Sequence, residues 1–178
     1  LFRCRPLVSS PVVRPFAGII ISAMVGPLVL ASLIEQHLAA RPSSVAFIDG
    51  ERAISYAEFD ERCRQAPAWL AGQGIQPGDR IAVWLVNRIE WLALLFGAAR
   101  LGAAIVAVNT RFRASELAYL LDRASPRLLV LQHNFRKIDF PAVLEDVDLS
   151  AARTLERVVV VEPDTATPSG ILGEATVP

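Results

Sequence analysis

Residues Gly78–Asn109 read GDRIAVWLVNRIEWLALLFGAARLGAAIVAVN. Ile81 to Val86 is an unbroken apolar run, the character of a strand covered on both faces in a parallel sheet. Asn87 offers a side chain to the start of a helix, and Glu90, three residues on, can complete a capping box. Trp91, Leu94, Leu95, Ala98 and Leu101 then recur at helical spacing, which predicts one broad apolar face. Gly102 can take the left-handed conformation that ends a helix, and Ala103 to Val108 is a second apolar run. Strand, helix and strand in this order make a βαβ unit, whose crossover is right-handed by rule.

The same alternation extends in both directions. Upstream, Asp49-Gly50 between Val45–Ile48 and Arg52–Tyr56 predicts a β-hairpin. Ser55 and Glu58 form a capping box for a helix with Phe59, Cys63, Ala66 and Leu70 on one face, stopping at Gly72–Gly74. Pro67 lies inside that helix, where it removes a backbone donor and predicts a kink. An earlier helix carries Leu30, Ile34 and Leu38, begins near Pro27 and ends near Arg41-Pro42. Downstream, Ser115 caps a helix bearing Leu117, Leu120, Leu121 and Ala124. Leu128–Leu131 and the four valines within Arg157–Glu162 are further strands, with a short helix after Pro141 between them. The expected fold is therefore α/β: a largely parallel sheet with flanking helices, plus an N-terminal hairpin.

The ends read differently. Arg3, Arg5 and Arg14 precede an uncharged run from Pro15 to Ile34, a pattern shared by export signals and membrane spans. Gly26-Pro27 interrupts that run, and Met24 is a natural start, so residues 1–23 are expected to be a non-native or flexible leader. Residues 24–162 form the α/β unit, and residues 163–178, mixing Pro, Thr, Gly and Ser, are expected to be an unstructured, truncated tail. The chain reads as a piece of something longer.

Lys plus Arg and Asp plus Glu number 18 each, so no net field favours nucleic acid or an acidic partner. With 53% hydrophobic and 20% charged residues the chain is not of disordered composition. Cys4 and Cys63 are too few for a disulfide framework and lack metal-ligand spacing; this fits a cytoplasmic protein. No Gly-rich loop with a following lysine is present, and Gly102 has no glycine partners for a dinucleotide fingerprint. His37 and His133 have no neighbouring nucleophile in sequence, and Asp139, Glu145, Asp146 and Asp148 match no calcium loop. Arg111 and Arg113 stand apart, since they follow the carboxyl end of a parallel strand, where such sheets bind ligands.

Five segments in order carry a resemblance: Ile54-Ser55-Tyr56-Ala57-Glu58-Phe59, Gly78-Asp79-Arg80-Ile81-Ala82, Asn87-Arg88-Ile89-Glu90-Trp91, Leu101–Asn109 and Ser115-Glu116-Leu117. They resemble successive motifs of the adenylate-forming (AMP-binding) enzymes of acyl-CoA synthetase type, over about residues 28–161. The resemblance implies an N-terminal fragment of such an enzyme's large domain. It implies ATP, Mg2+ and CoA as cofactors of the whole enzyme, and a carboxylic acid as its substrate. Acid and ATP would give an acyl-adenylate, and the acyl group would then pass to a thiol. It also implies that Arg111, two residues after the motif Asn109, contacts a CoA phosphate. Ala107 and Thr110 depart from the prolines common in that motif. The family's phosphate loop, its ATP-binding motifs and its catalytic lysine find no counterpart here, so the fragment is expected to be inactive by itself. It is expected to hold no cofactor tightly and to carry no catalytic or metal-binding residue. The alternatives are a fragment of a peptide-synthetase adenylation domain and a non-catalytic α/β protein tethered to a membrane through Pro15 to Ile34.

Overall fold

The computed structural model describes residues 30–161 and 174–176. The expected leader, the Pro27 helix start and most of the tail lie outside the described residues. The elements run α1 (Leu30–Ala40), β1 (Val45–Asp49), β2 (Arg52–Ser55), α2 (Tyr56–Gly72), β3 (Arg80–Trp84), α3 (Ile89–Leu101) and β4 (Ala104–Ala107). Then follow α4 (Ala114–Ala124), β5 (Leu128–Gln132), β6 (Asn134–Phe135), β7 (Ile138–Asp139) and α5 (Phe140–Glu145). A 3-10 turn (Leu149–Ala151), β8 (Arg157–Val161) and β9 (Glu174–Thr176) complete the described residues.

The main sheet has the order β4-β3-β5-β8-β9. Its first four strands are parallel, with Ile81 opposite both Ile105 and Leu128, and Val130 opposite Val159. β9 pairs antiparallel with β8, so Glu174–Thr176 form a strand within a stretch whose sequence predicts no element. Because strand side chains alternate, the apolar runs feed two cores. Ile81, Val83, Leu128 and Val130 meet Ala66 and Leu70 of α2 and Leu94 and Ala98 of α3. Ala82, Trp84, Leu129 and Leu131 meet Leu117 and Leu121 of α4 and Phe140 of α5. The α/β architecture expected from the sequence is therefore present.

Local chemistry sets most boundaries. The Ser55–Glu58 capping box forms as its spacing predicts: the Ser55 hydroxyl accepts the Glu58 N–H (3.2 Å) and Glu58 accepts the Ser55 N–H (2.9 Å). Phe59, Cys63, Ala66 and Leu70 are all buried, and α2 runs through Pro67. Before β3, the Asp79 N–H bonds the Gln76 carbonyl across Pro77 and Gly78, whose φ of 91° requires glycine at the third position of the turn.

Four local expectations are corrected. The hairpin turn is Gly50-Glu51, because Asp49 still pairs with Arg52. Arg88, not Asn87, precedes the first residue of α3; Glu90 turns to the Arg88 guanidinium (2.7 Å), and the Ile89 N–H is capped from β1 by Asp49 (3.0 Å). Arg113, not Ser115, holds the cap position of α4, where its N–H bonds the Glu116 carboxylate (2.9 Å). The second apolar run is half-exposed, since β4 lies at the edge of the sheet.

Candidate functional site

The carboxyl ends of the parallel strands lie along one edge of the sheet, and side chains help fasten the loops after β3 and β4. Gln132, buried at the end of β5, accepts the Val86 N–H with its amide oxygen (3.0 Å). Trp84, fully buried at the end of β3, donates its indole N–H to the Asn109 carbonyl (3.0 Å). Its ring is held edge-on by Phe140 at 4.8 Å. The Asn109 carbonyl also accepts the Phe112 N–H (3.0 Å), and the Asn109 side chain accepts the Arg111 N–H (2.9 Å). The loop after β4 is thus a closed Asx-type turn pinned from below by an aromatic side chain.

Arg111 and Arg113 both stand exposed in this loop. Among the described residues neither guanidinium makes a hydrogen bond or an ion pair, so both retain their donors for an anion. The short β6–β7 hairpin follows β5 and carries Arg136, at φ 58°, and Lys137. Arg136 lies over the Phe135 ring at 5.1 Å. This hairpin was hidden in the sequence because strands of two residues carry no periodicity.

The remaining candidates are accounted for locally. His37 is exposed on α1, with Nδ1 3.2 Å from Arg41 and its ring 5.0 Å from Tyr56. His133 is half-buried, and its carbonyl accepts the Phe140 N–H (3.0 Å). Asp139 and Asp148 cap Ala142 and Ser150, and no group of metal-ligating side chains forms among the described residues. Cys63 is buried, and desolvation pushes its thiol up to about 12, which removes it as a nucleophile. One surface depression, about 610 Å³, runs along α4 past Phe112, Tyr119 and Arg123. A second, about 340 Å³, lies between the hairpin and the start of α3, beside Ile48, Asn87 and Trp91. Neither is lined by a histidine or a cysteine.

The family model described as AMP-binding enzyme matches residues 34–177. The chain belongs to the AMP-binding enzymes. Curated relatives include YngI of Bacillus subtilis (strain 168), whose name assigns it provisionally to the acyl-CoA synthetases. It is 37% identical over 120 residues, covering 66% of this chain and 22% of that protein. The 3-oxocholest-4-en-26-oate–CoA ligase of Rhodococcus rhodochrous is 30% identical over 136 residues, covering 76% of this chain and 23% of the ligase. Among solved structures, apo MatB from Rhodopseudomonas palustris is 26% identical at a TM-score of 0.61, with 75% of this chain and 26% of MatB covered. A fatty acyl CoA synthetase of Mycobacterium tuberculosis shares the fold at a TM-score of 0.65 and 22% identity, covering 76% of this chain and 26% of the other. This AMP-binding chain thus spans about a quarter of the length of the relatives it matches. Within it, Asn109 and Arg111 sit together in the pinned loop. Trp84 lies inside an apolar run and Gln132 at the end of one, and no sequence spacing marks the hydrogen bonds by which they hold the loops.

Much of the run from Pro15 to Ile34 lies outside the described residues. No helix among the described residues is long and apolar enough to cross a membrane.

Proposed function

We propose that this chain supplies the amino-terminal part of an acyl-CoA synthetase. The whole enzyme would activate a carboxylic acid with ATP and Mg2+ and pass the acyl group to CoA. The observation that carries the reading is the loop after β4, where Arg111 offers an uncommitted guanidinium at the ligand-binding edge of the sheet. A planar, permanently charged fork suits a phosphate oxyanion, and Arg111 would therefore meet a CoA phosphate. ATP and the acid would be held by residues outside this sequence, because it contains no lysine-terminated phosphate loop.

Two assays test this. In pyrophosphate exchange, the 178-residue chain alone is expected to show no ATP- and acid-dependent turnover. Turnover by the chain alone would overturn the assignment of nucleotide binding to other residues. In a complete enzyme bearing this sequence, Arg111→Ala should raise the KM for CoA several-fold and leave adenylate formation unchanged. An unchanged KM would remove Arg111 from the CoA site.

A further inference from the structure

The loop that carries Arg111 is not held by its own backbone alone. Its central acceptor, the Asn109 carbonyl, takes two donors, the Phe112 N–H and the indole N–H of Trp84, each at 3.0 Å. Trp84 belongs to β3, the neighbouring strand, and is fully buried. A leucine or phenylalanine at that position would fill the core equally well on hydrophobicity, but neither has an N–H to give. The indole is itself oriented by Phe140, whose N–H bonds the His133 carbonyl just past β5. A continuous chain of contacts therefore runs from the end of β5, through Phe140 and Trp84, to Asn109 and the Arg111 amide.

We propose that Trp84 is a positioning residue for Arg111: its indole N–H fixes the loop after β4 in the conformation that aims the guanidinium at a phosphate-bearing ligand. This rests on the reading of Arg111 as a CoA-phosphate contact. Trp84 touches no ligand; it acts only through the Asn109 carbonyl. An exposed arginine has many rotamers, and pinning the backbone beneath it reduces what is lost when it closes on an anion.

The test uses the 178-residue chain, isotope-labelled, with coenzyme A as the probe. Trp84→Phe keeps an aromatic ring and removes the donor. The Arg111 and Phe112 amides should exchange with solvent roughly fivefold faster, one hydrogen bond's net worth converted at tenfold per 1.4 kcal/mol. The Val130 amide in central β5 reports global stability and separates loop loosening from general unfolding. Coenzyme A at millimolar concentration should shift the Arg111 loop resonances in the parent chain. Trp84→Phe should need about three to five times more ligand for the same shift, by the same conversion. Asn109→Ala, at an exposed position, frees the Arg111 amide without disturbing the core and should weaken the response similarly.

The outcomes separate the two ideas. Should Arg111→Ala abolish the response while Trp84→Phe and Asn109→Ala leave it intact, the positioning role is wrong and the phosphate contact stands. Should Arg111→Ala respond to coenzyme A as the parent does, or should the parent chain show no shift, the phosphate reading fails and the positioning role fails with it. Unchanged exchange at Phe112 in Trp84→Phe would also overturn the proposal, whatever the ligand does.

Discussion

Gly97→Ala should destabilise the fold, although alanine is the better helix former. Gly97 lies buried in α3, where the helix crosses α2. A Cβ added there would stand 2.2 Å from the Ala66 Cβ, 3.2 Å from its Cα and 3.3 Å from its carbonyl carbon. Carbon atoms pack at about 3.5–4.0 Å, so the helices must separate by about 1.5 Å or distort. Two of the three obstructing atoms are backbone, so no flexible side-chain end can swing aside. Separation would also loosen Leu70, Leu94 and Ala98, which lie in the same core. Against this, replacing glycine in a helix interior stabilises by about 1 kcal/mol. Overpacking a well-filled core costs about 1–3 kcal/mol, occasionally more. The expected net effect is a loss of up to about 2 kcal/mol, a fall in Tm of up to roughly 8 °C for a chain of this length.

The assay is urea unfolding followed by circular dichroism on four proteins: parent, Gly97→Ala, Ala66→Gly and the double variant. Ala66→Gly alone should cost about 1 kcal/mol from helix propensity. In the double variant the new methyl occupies the space vacated across the interface. The cycle should then show a favourable coupling of at least about 1 kcal/mol. If Gly97→Ala gained stability, or if the two changes simply added, close contact of α2 and α3 at this point would be refuted.

Two other expectations follow from the titrating groups. Burial raises the Cys63 thiol to about 12, so the neutral form is the one the fold favours. That contribution is complete below the ordinary thiol range near 8.5 and is lost as pH rises through about 12. In a Cys4→Ser background, Cys63 should react with a thiol reagent at pH 8 far more slowly in buffer than in denaturing urea, and equal rates would place it at the surface. Glu58 titrates in the opposite sense: its hydrogen bonds from Ser55 lower its pKa, so its contribution is present above the ordinary carboxylate value near 4.5 and fades as pH falls through the lowered one. Glu58→Gln should therefore flatten the acid limb of the stability profile. Ser55→Ala should cost about 1 kcal/mol at neutral pH by uncapping α2, and no loss would mean that the capping box is idle in solution.

How much of this was legible in the sequence follows from the range of the interactions. The βαβ alternation, the buried face of α2, the Ser55–Glu58 box and the Gly102 helix end (φ 81°) involve neighbours within a few positions. Sequence spacing therefore reports them directly. The cap of α3 is different. Asp49 reaches the Ile89 N–H across 40 positions, and no local pattern announces a cap supplied by another element. The same residue explains the displaced hairpin turn: Asp49 remains paired with Arg52 and faces α3, so the turn falls on Gly50-Glu51. The edge position of β4 was also illegible, because an apolar run looks the same whether one or two neighbours flank it. Arg111 stood out by its place after a strand, but its particular role came only from the family resemblance.

The two ends of the sheet are held by different chemistry, and this bears on where function can sit. At the amino ends of the strands, Arg127 joins Asp79 before β3 (2.9 Å) to Glu156 before β8 (2.6 Å), and its own N–H bonds the Arg80 carbonyl (2.9 Å). These carboxylates raise the Arg127 pKa further and consume its donors. The Gly-Asp-Arg segment therefore serves architecture: Gly78 turns the chain, Asp79 takes the Gln76 N–H and the Arg127 guanidinium, and Arg80 reaches the Ser125 carbonyl. At the carboxyl ends, the Arg88–Glu90 pair stays with the loop after β3, whereas the loop after β4 is pinned by a neutral indole and Val86 is tied to β5 by a primary amide. Loops held this way need no ion pair of their own, which leaves Arg111 charged, exposed and uncommitted among the described residues. Had the loop after β4 been fixed by a salt bridge through Arg111, its charge would already be answered and an incoming phosphate would first have to displace a carboxylate. Neutral fastening beneath an uncommitted cation thus suits the proposed anion site, and a carboxylate substituted into reach of Arg111 should weaken it.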